Sequence, residues 1–144
     1  MDYLFDTNHC AYLMNGSTRL LSKQKPEDIK VFNRISSLIS TDNFYLCTIV
    51  LGELYYGAYN SDQVADNLNR IVLLKTRFTT LDVDEDLFRF YGTTRASLNK
   101  KGIKVENFDL TIACIAMYNN LTLLSNDRVF DNLKPDLKVE NWAV

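Results

Sequence analysis

Asp109-Leu110-Thr111-Ile112-Ala113-Cys114-Ile115-Ala116-Met117-Tyr118-Asn119, followed by Leu121-Thr122-Leu123-Leu124-Ser125, joins an almost wholly apolar helix to a short, mostly apolar strand. A helix with no polar face has to be buried on most sides. A strand beside it with no alternation of polar residues reads as one covered on both faces. Working outward, the same alternation recurs. Tyr3-Leu4-Phe5 reads as a first strand stopped at Asp6. Ala11 to Met14 continue as a helix that Asn15-Gly16 is expected to close. Pro26-Glu27-Asp28 opens a second helix with Ile29, Phe32, Ile35 and Ile39 at helical spacing. Tyr45 to Val50 is the second strand, Leu51 to Tyr59 a helix, and Asn60 to Phe78 holds another. Thr79 to Val83 gives a third strand, and Asp84 caps a helix that runs to Lys101-Gly102. Leu137 to Trp142 offers a fifth strand. Strands alternating with helices predict an α/β fold with a parallel sheet covered on both faces.

The 144 residues suit a single domain spanning 1–144, and no linker, repeat or low-complexity tract divides them. With 16 Lys+Arg against 18 Asp+Glu, the chain is slightly acidic, which argues against holding nucleic acid mainly by bulk positive charge. No apolar stretch approaches the roughly 20 residues that cross a bilayer. The acidic start, Met1-Asp2, does not read as a secretory signal. Cys10, Cys47 and Cys114 have no metal-type spacing and read as small buried hydrophobes. A cytoplasmic protein without a membrane partner is expected.

In such a sheet, ligands gather beyond the carboxyl ends of the strands. Four acids map to that edge: Asp6 after the first strand, Glu53 in the turn after the second, Asp109 at the start of the buried helix, and Asp127 after the fourth strand. Each has a structural alternative. Asp6 or Asn8, and Asp109, suit helix caps. Glu53 can reach solvent, and Asp127 suits a turn. Two are nevertheless awkward. Glu53 shares a helical face with Val50, Leu54 and Gly57, and Asp109 heads the stripe of Ile112, Ala113 and Ala116, with no Lys or Arg in either. An unpaired inward carboxylate is costly, and a cation removes the cost. Hard oxygen ligands suit Mg²⁺ or Mn²⁺ and not structural zinc. Such an ion makes a water more acidic and stabilises charge on a phosphoryl oxygen. His9 is the lone histidine and reads as a local turn or helix-start residue, so no Ser-His-Asp arrangement competes. No Gly-rich phosphate loop is present.

These residues resemble a known family. Leu4-Phe5-Asp6-Thr7-Asn8 resembles the opening strand and first acid of PIN-domain nucleases. Glu53-Leu54-Tyr55-Tyr56-Gly57 is similar to the Glu-Leu-x-x-Gly helix of the VapC-type toxins within that family. Asp109-Leu110-Thr111-Ile112-Ala113 resembles their third motif, Leu124-Ser125-Asn126-Asp127 the fourth, and Val139-Glu140-Asn141-Trp142 the usual finish. The match runs in order from residue 3 to 142, loosely over Ser17 to Asn43. The resemblance implies a PIN-like three-layer α/β/α fold around a parallel sheet of four to five strands. It implies an Mg²⁺-dependent endoribonuclease, with Mn²⁺ able to substitute, acting as the toxin of a type II toxin–antitoxin pair. Asp6, Glu53, Asp109 and Asp127 would be its catalytic and metal-holding acids. Thr7, Ser125 and Asn126 would support them, where capping or turn hydrogen bonds are the alternative. A small antitoxin and a homodimer are implied as partners.

RNA still needs positive contacts. Arg95, Lys100, Lys101 and Lys104 cluster before the third motif and are candidates for a rim, although cations also favour a helix C-terminus. Tyr55, Tyr56 and Tyr59 suit either stacking on bases or packing. Two other readings stay open: a catalytically silent PIN-like module that binds RNA or protein, and a phosphohydrolase with Asp6 as nucleophile. Asn8 occupies the place where the latter usually carries a second acid.

Overall fold

The computed structural model describes residues 1–38 and 42–144. Its elements run β1 (Asp2–Phe5), α1 (Thr7–Thr18), a short 3₁₀ turn at Leu21–Lys23, α2 (Pro26–Ser36), β2 (Asn43–Cys47), α3 (Thr48–Tyr59) and α4 (Val64–Lys75). They continue through β3 (Thr79–Leu81), α5 (Glu85–Lys100), α6 (Asn107–Tyr118), β4 (Thr122–Leu124), a 3₁₀ segment at Arg128–Leu133 and β5 (Val139–Glu140). All strand pairs are parallel, in the order β3-β2-β1-β4-β5. Helices flank this sheet, making the three-layer α/β/α architecture expected from the alternation of strands and helices. They pair as α1 on α2, α3 on α4 and α5 on α6.

The strand order positions the site. From β1 the chain steps outward through β2 to β3, then returns to place β4 on the other side of β1. Register pairs Leu4 with Tyr45 on one side and Phe5 with Leu124 on the other. Loops leaving β1 and β4 therefore diverge at their carboxyl ends, which opens a crevice between them. The backbone N–H of Asp6 donates to the Leu124 carbonyl at 3.0 Å, so the two strand exits are tied at the crevice.

Burial explains why the strands hold this order. Leu4, Phe5, Leu46, Leu123 and Leu124 are fully enclosed, as are Ile112, Ala113, Cys114 and Ala116 on α6. Phe5 meets Phe78 edge-on at 4.9 Å between centroids and also touches Phe44 and Trp142. Burying a side chain of this size contributes about 1.5–3 kcal/mol. The three cysteines are buried and free.

Four expectations are corrected. Asn15-Gly16 does not end the first helix, which continues to Thr18. Gly16 is instead the point of closest approach between α1 and α2: a Cβ there would stand 2.6 Å from the Asp28 carbonyl oxygen and 2.7 Å from the Phe32 Cβ. The second strand ends at Cys47, and Thr48 to Val50 already form the first turn of α3. Their β-branched character misled the reading, because burial against the sheet overrides propensity. The third strand begins at Thr79 as expected but ends at Leu81, and the fourth and fifth are shorter than expected at both ends. Asp109 does not cap α6; Glu106 does, accepting from the N–H groups of Phe108 and Asp109 at 2.9 and 3.3 Å. Ile39 lies outside the described residues.

Candidate acidic site

Asp6 leaves β1 in extended backbone and caps α1. Its Oδ1 accepts from the Thr7 N–H at 2.8 Å, and its Oδ2 accepts from the Ser125 hydroxyl at 2.7 Å. Only 7% of the residue is exposed. Burial pushes its pKa up; the bonds from Ser125 and Thr7 pull it down, and the charges of Glu53 and Asp127 raise it again. Capping does not exclude cation binding by the same side chain, since it leaves lone pairs on both oxygens.

Glu53 is half-buried on the second turn of α3, where its Oε2 accepts from the Thr7 hydroxyl. Val50 and Leu54 beside it are buried as expected, whereas Gly57 is exposed. Asp109 lies in the first turn of α6, freed from capping by Glu106. Its pKa is raised to about 6, first by burial and then by the charges of Glu106, Asp127, Asp6 and Glu53. Asp127 is exposed and caps the 3₁₀ segment, its Oδ1 accepting from the Val129 N–H at 2.9 Å. Its own N–H donates to the Ser125 hydroxyl at 3.1 Å. Ser125 therefore bridges the first and fourth acids.

The mutual repulsion places all four acids in one electrostatic neighbourhood. Among the described residues, none of the four makes an ion pair with Lys or Arg. Neither do any three His, Cys, Asp or Glu side chains there close into a ready-made metal cage. That arrangement fits Mg²⁺, which keeps several waters and binds through one or two carboxylates with substrate oxygens completing its shell. The donor set is all oxygen, uncompensated and partly desolvated, so the residues present fit such an ion.

The supporting residues behave differently from one another. The Thr7 and Ser125 hydroxyls donate to the Glu53 and Asp6 carboxylates. Asn126 does not turn toward the acids: its Oδ1 accepts from Asn8 Nδ2 at 3.2 Å and its Nδ2 donates to the Tyr12 hydroxyl at 3.0 Å. It clamps the loop of Ser125 and Asp127 onto α1, a role the turn-rich sequence did not reveal for Tyr12. His9 begins α1 as read, yet it is fully buried, and its Nε2 accepts from the Trp142 N–H at 3.1 Å. Burial lowers its pKa to about 4, so it is neutral. Its signal in sequence was weak because its partner lies 133 positions away.

The four basic candidates do not form one rim. Arg95 and Lys104 line one recess. Lys101 lines another, together with Lys134 and Asp136, and Lys100 lines neither. Tyr56 and Tyr59 are exposed on α3, while Tyr55 is partly buried against the core. Among the described residues, no helix is long and apolar enough to cross a membrane.

Known proteins match along nearly the whole chain. The PIN domain family model covers residues 3–134. Ribonuclease VapC2 of Rickettsia felis is 30% identical over 142 residues, covering 99% of this chain and 98% of that protein. The tRNA(fMet)-specific endonuclease VapC of Salmonella typhimurium is 31% identical over 145 residues, with 99% of each covered. The structure of VapBC2 from Rickettsia felis, bound to a DNA fragment from its promoter, superposes with a TM-score of 0.82 at 30% identity over 99% of both chains. That of VapBC-1 from nontypeable Haemophilus influenzae gives 0.79 at 29% identity over the full length of both. With the family model and its VapC relatives agreeing over this length, the chain belongs to the PIN-domain family, in its VapC group.

Proposed function

We propose that the chain is a divalent-metal-dependent endoribonuclease, acting as one domain over residues 1–144 and serving as the toxin of a toxin–antitoxin pair. The observation that carries this reading is the mutual repulsion of Asp6, Glu53, Asp109 and Asp127, which among the described residues make no ion pair with Lys or Arg. Ribonuclease and endonuclease names among its relatives, and VapBC assemblies among similar structures, support the substrate class and a small antitoxin partner.

Asp6 and Asp109, the two acids with raised pKa, are the principal candidates to hold Mg²⁺ or Mn²⁺, with Glu53 and Asp127 completing the set. A bound divalent ion supplies an acidified water and neutralises charge on phosphoryl oxygens. The chain's own residues do the rest. Ser125 and Thr7 fix one oxygen each of Asp6 and Glu53 by hydrogen bonds from their hydroxyls. Glu106 spends its carboxylate on the α6 N–H groups, leaving that of Asp109 open. Pre-fixed carboxylates cost no reorganisation when charge develops on the phosphate.

A homodimer, cytoplasmic location and restraint by a small antitoxin complete the proposal. Incubating the purified chain with single-stranded or looped RNA tests it. Cleavage should need Mg²⁺ or Mn²⁺ and cease on adding a chelator. RNA bound but left intact under all metal conditions would favour a silent binding module instead.

A further inference from the structure

Arg95, Asn99 and Lys104 line a recess of about 380 Å³ whose apolar wall is Leu98, Ile103, Val105 and Leu110. Leu110 directly follows Asp109 in α6, so the recess is walled in part by the helix that carries Asp109. No carboxylate lines it, and among the described residues neither Arg95 nor Lys104 makes an ion pair. The neighbouring recess with Lys101 differs: Asp136 shares its wall, and its Lys134 is paired with Asp131 at 2.7 Å.

Arg95 is also held in place. Its Nη1 donates to the Tyr91 hydroxyl at 3.3 Å, and that hydroxyl donates to Asn107 Oδ1 at 3.1 Å. Asn107 is the first residue of α6, two positions before Asp109. A guanidinium anchored this way loses less rotamer freedom on binding, and its fork matches phosphate oxygens. An acidic site that meets a polyanion needs cations to hold the rest of the strand, and this recess supplies two that make no ion pair among the described residues.

Resting on the ribonuclease reading of the acidic site, we infer that the Arg95–Lys104 recess is a phosphate subsite that takes a backbone phosphodiester of the RNA other than the one being cleaved. Asn99 adds an amide donor or acceptor for the same nucleotide. Tyr91 is a positioning residue that acts through Arg95.

The test uses the full chain carrying Asp6→Asn, so that RNA stays intact, with Mg²⁺ present and a labelled single-stranded RNA as the probe. Fluorescence anisotropy is read across a salt series. Adding Arg95→Ala and Lys104→Ala should weaken binding roughly tenfold and flatten the salt dependence by about 1.4 log units per log unit of salt, the expectation for two single-strand phosphate contacts. Lys100→Ala with Lys101→Ala should change affinity less than about threefold, since those cations lie outside the recess. All four side chains are exposed, so melting temperatures should stay level. Equal losses from both pairs, or none from the first, would overturn the subsite. Wild-type cleavage measured alongside separates the two claims. RNA held through the recess but never cut would sink the nuclease reading and keep the subsite. Normal cutting without the recess effect would do the reverse.

Discussion

The Ser125 hydroxyl donates to Oδ2 of Asp6 at 2.7 Å, joining residues 119 positions apart across the crevice between β1 and β4. The Ser125 Oγ also accepts from the Asp127 N–H at 3.1 Å, so one buried hydroxyl touches two of the acids. This follows from the strand order, because β1 and β4 are neighbours only after the chain has crossed back.

Ser125→Ala should therefore act on stability and on the site together. Losing a buried donor to a carboxylate costs about 1–2 kcal/mol, which a urea unfolding curve resolves. The Asp6 pKa should rise further, because the Ser125 bond is what pulls it down most. Calorimetric titration with Mn²⁺ should show affinity falling severalfold. Unchanged metal affinity would remove Ser125 from the site's architecture.

Asp109 gives the pH dependence its sign. Its pKa stands at about 6 in the fold against an ordinary 3.8. Such a carboxyl adds stability below its unfolded value and loses it as pH rises through the folded one. Without divalent ions, Asp109→Asn should raise stability near neutral pH by roughly 1 kcal/mol, a figure discounted for solvent screening. The gain should vanish below about pH 4, where the wild-type carboxyl is already neutral. Thermal melting across this range decides it; a gain that does not vary with pH would point to helix propensity instead.

His9 has the opposite sign. Its pKa falls from 6.5 to about 4 in the fold, so its contribution is full above 6.5 and is lost as pH drops through 4. His9→Leu leaves the buried Trp142 N–H without an acceptor and should cost about 1–3 kcal/mol at neutral pH. Urea midpoints of the two proteins should draw together on acidification. A constant gap would mean that packing alone explains the residue.

Gly16→Ala tests the contact between α1 and α2. The added methyl would meet a backbone carbonyl at 2.6 Å, which cannot swing aside. Alanine's better helix propensity returns up to about 1 kcal/mol, so the net loss should be roughly 1–2 kcal/mol. A more stable Gly16→Ala protein would show that the helices separate freely.

Legibility in the sequence followed the range of the forces involved. The apolar run of α6 and the alternation of elements are local patterns, and they carried the parallel α/β fold. The four acids were legible because each sits beside a recognisable strand end or helix start. What stayed hidden depends on partners far away in sequence. Gly16 read as a stop because only the approach of Asp28 and Phe32 makes it a packing residue. Glu106 outcompeted Asp109 as a cap, although both suit the position, and only the backbone settles which is used. Arg95 and Lys104 separated from Lys101 because α5 and the loop after it turn these side chains into different recesses, while Lys100 lines neither.

The central claim is that these carboxylates form one metal-dependent, RNA-cleaving site. The most direct measurement is the initial rate of RNA cleavage by the Asp6→Asn protein beside wild type, with Mg²⁺ or Mn²⁺ present and the fold verified by circular dichroism. Asp6→Asn keeps the side chain's shape but removes its charge, so cleavage should fall by at least about a hundredfold, as when a key electrostatic group is lost. Cleavage by a correctly folded Asp6→Asn protein at the wild-type rate would contradict the account.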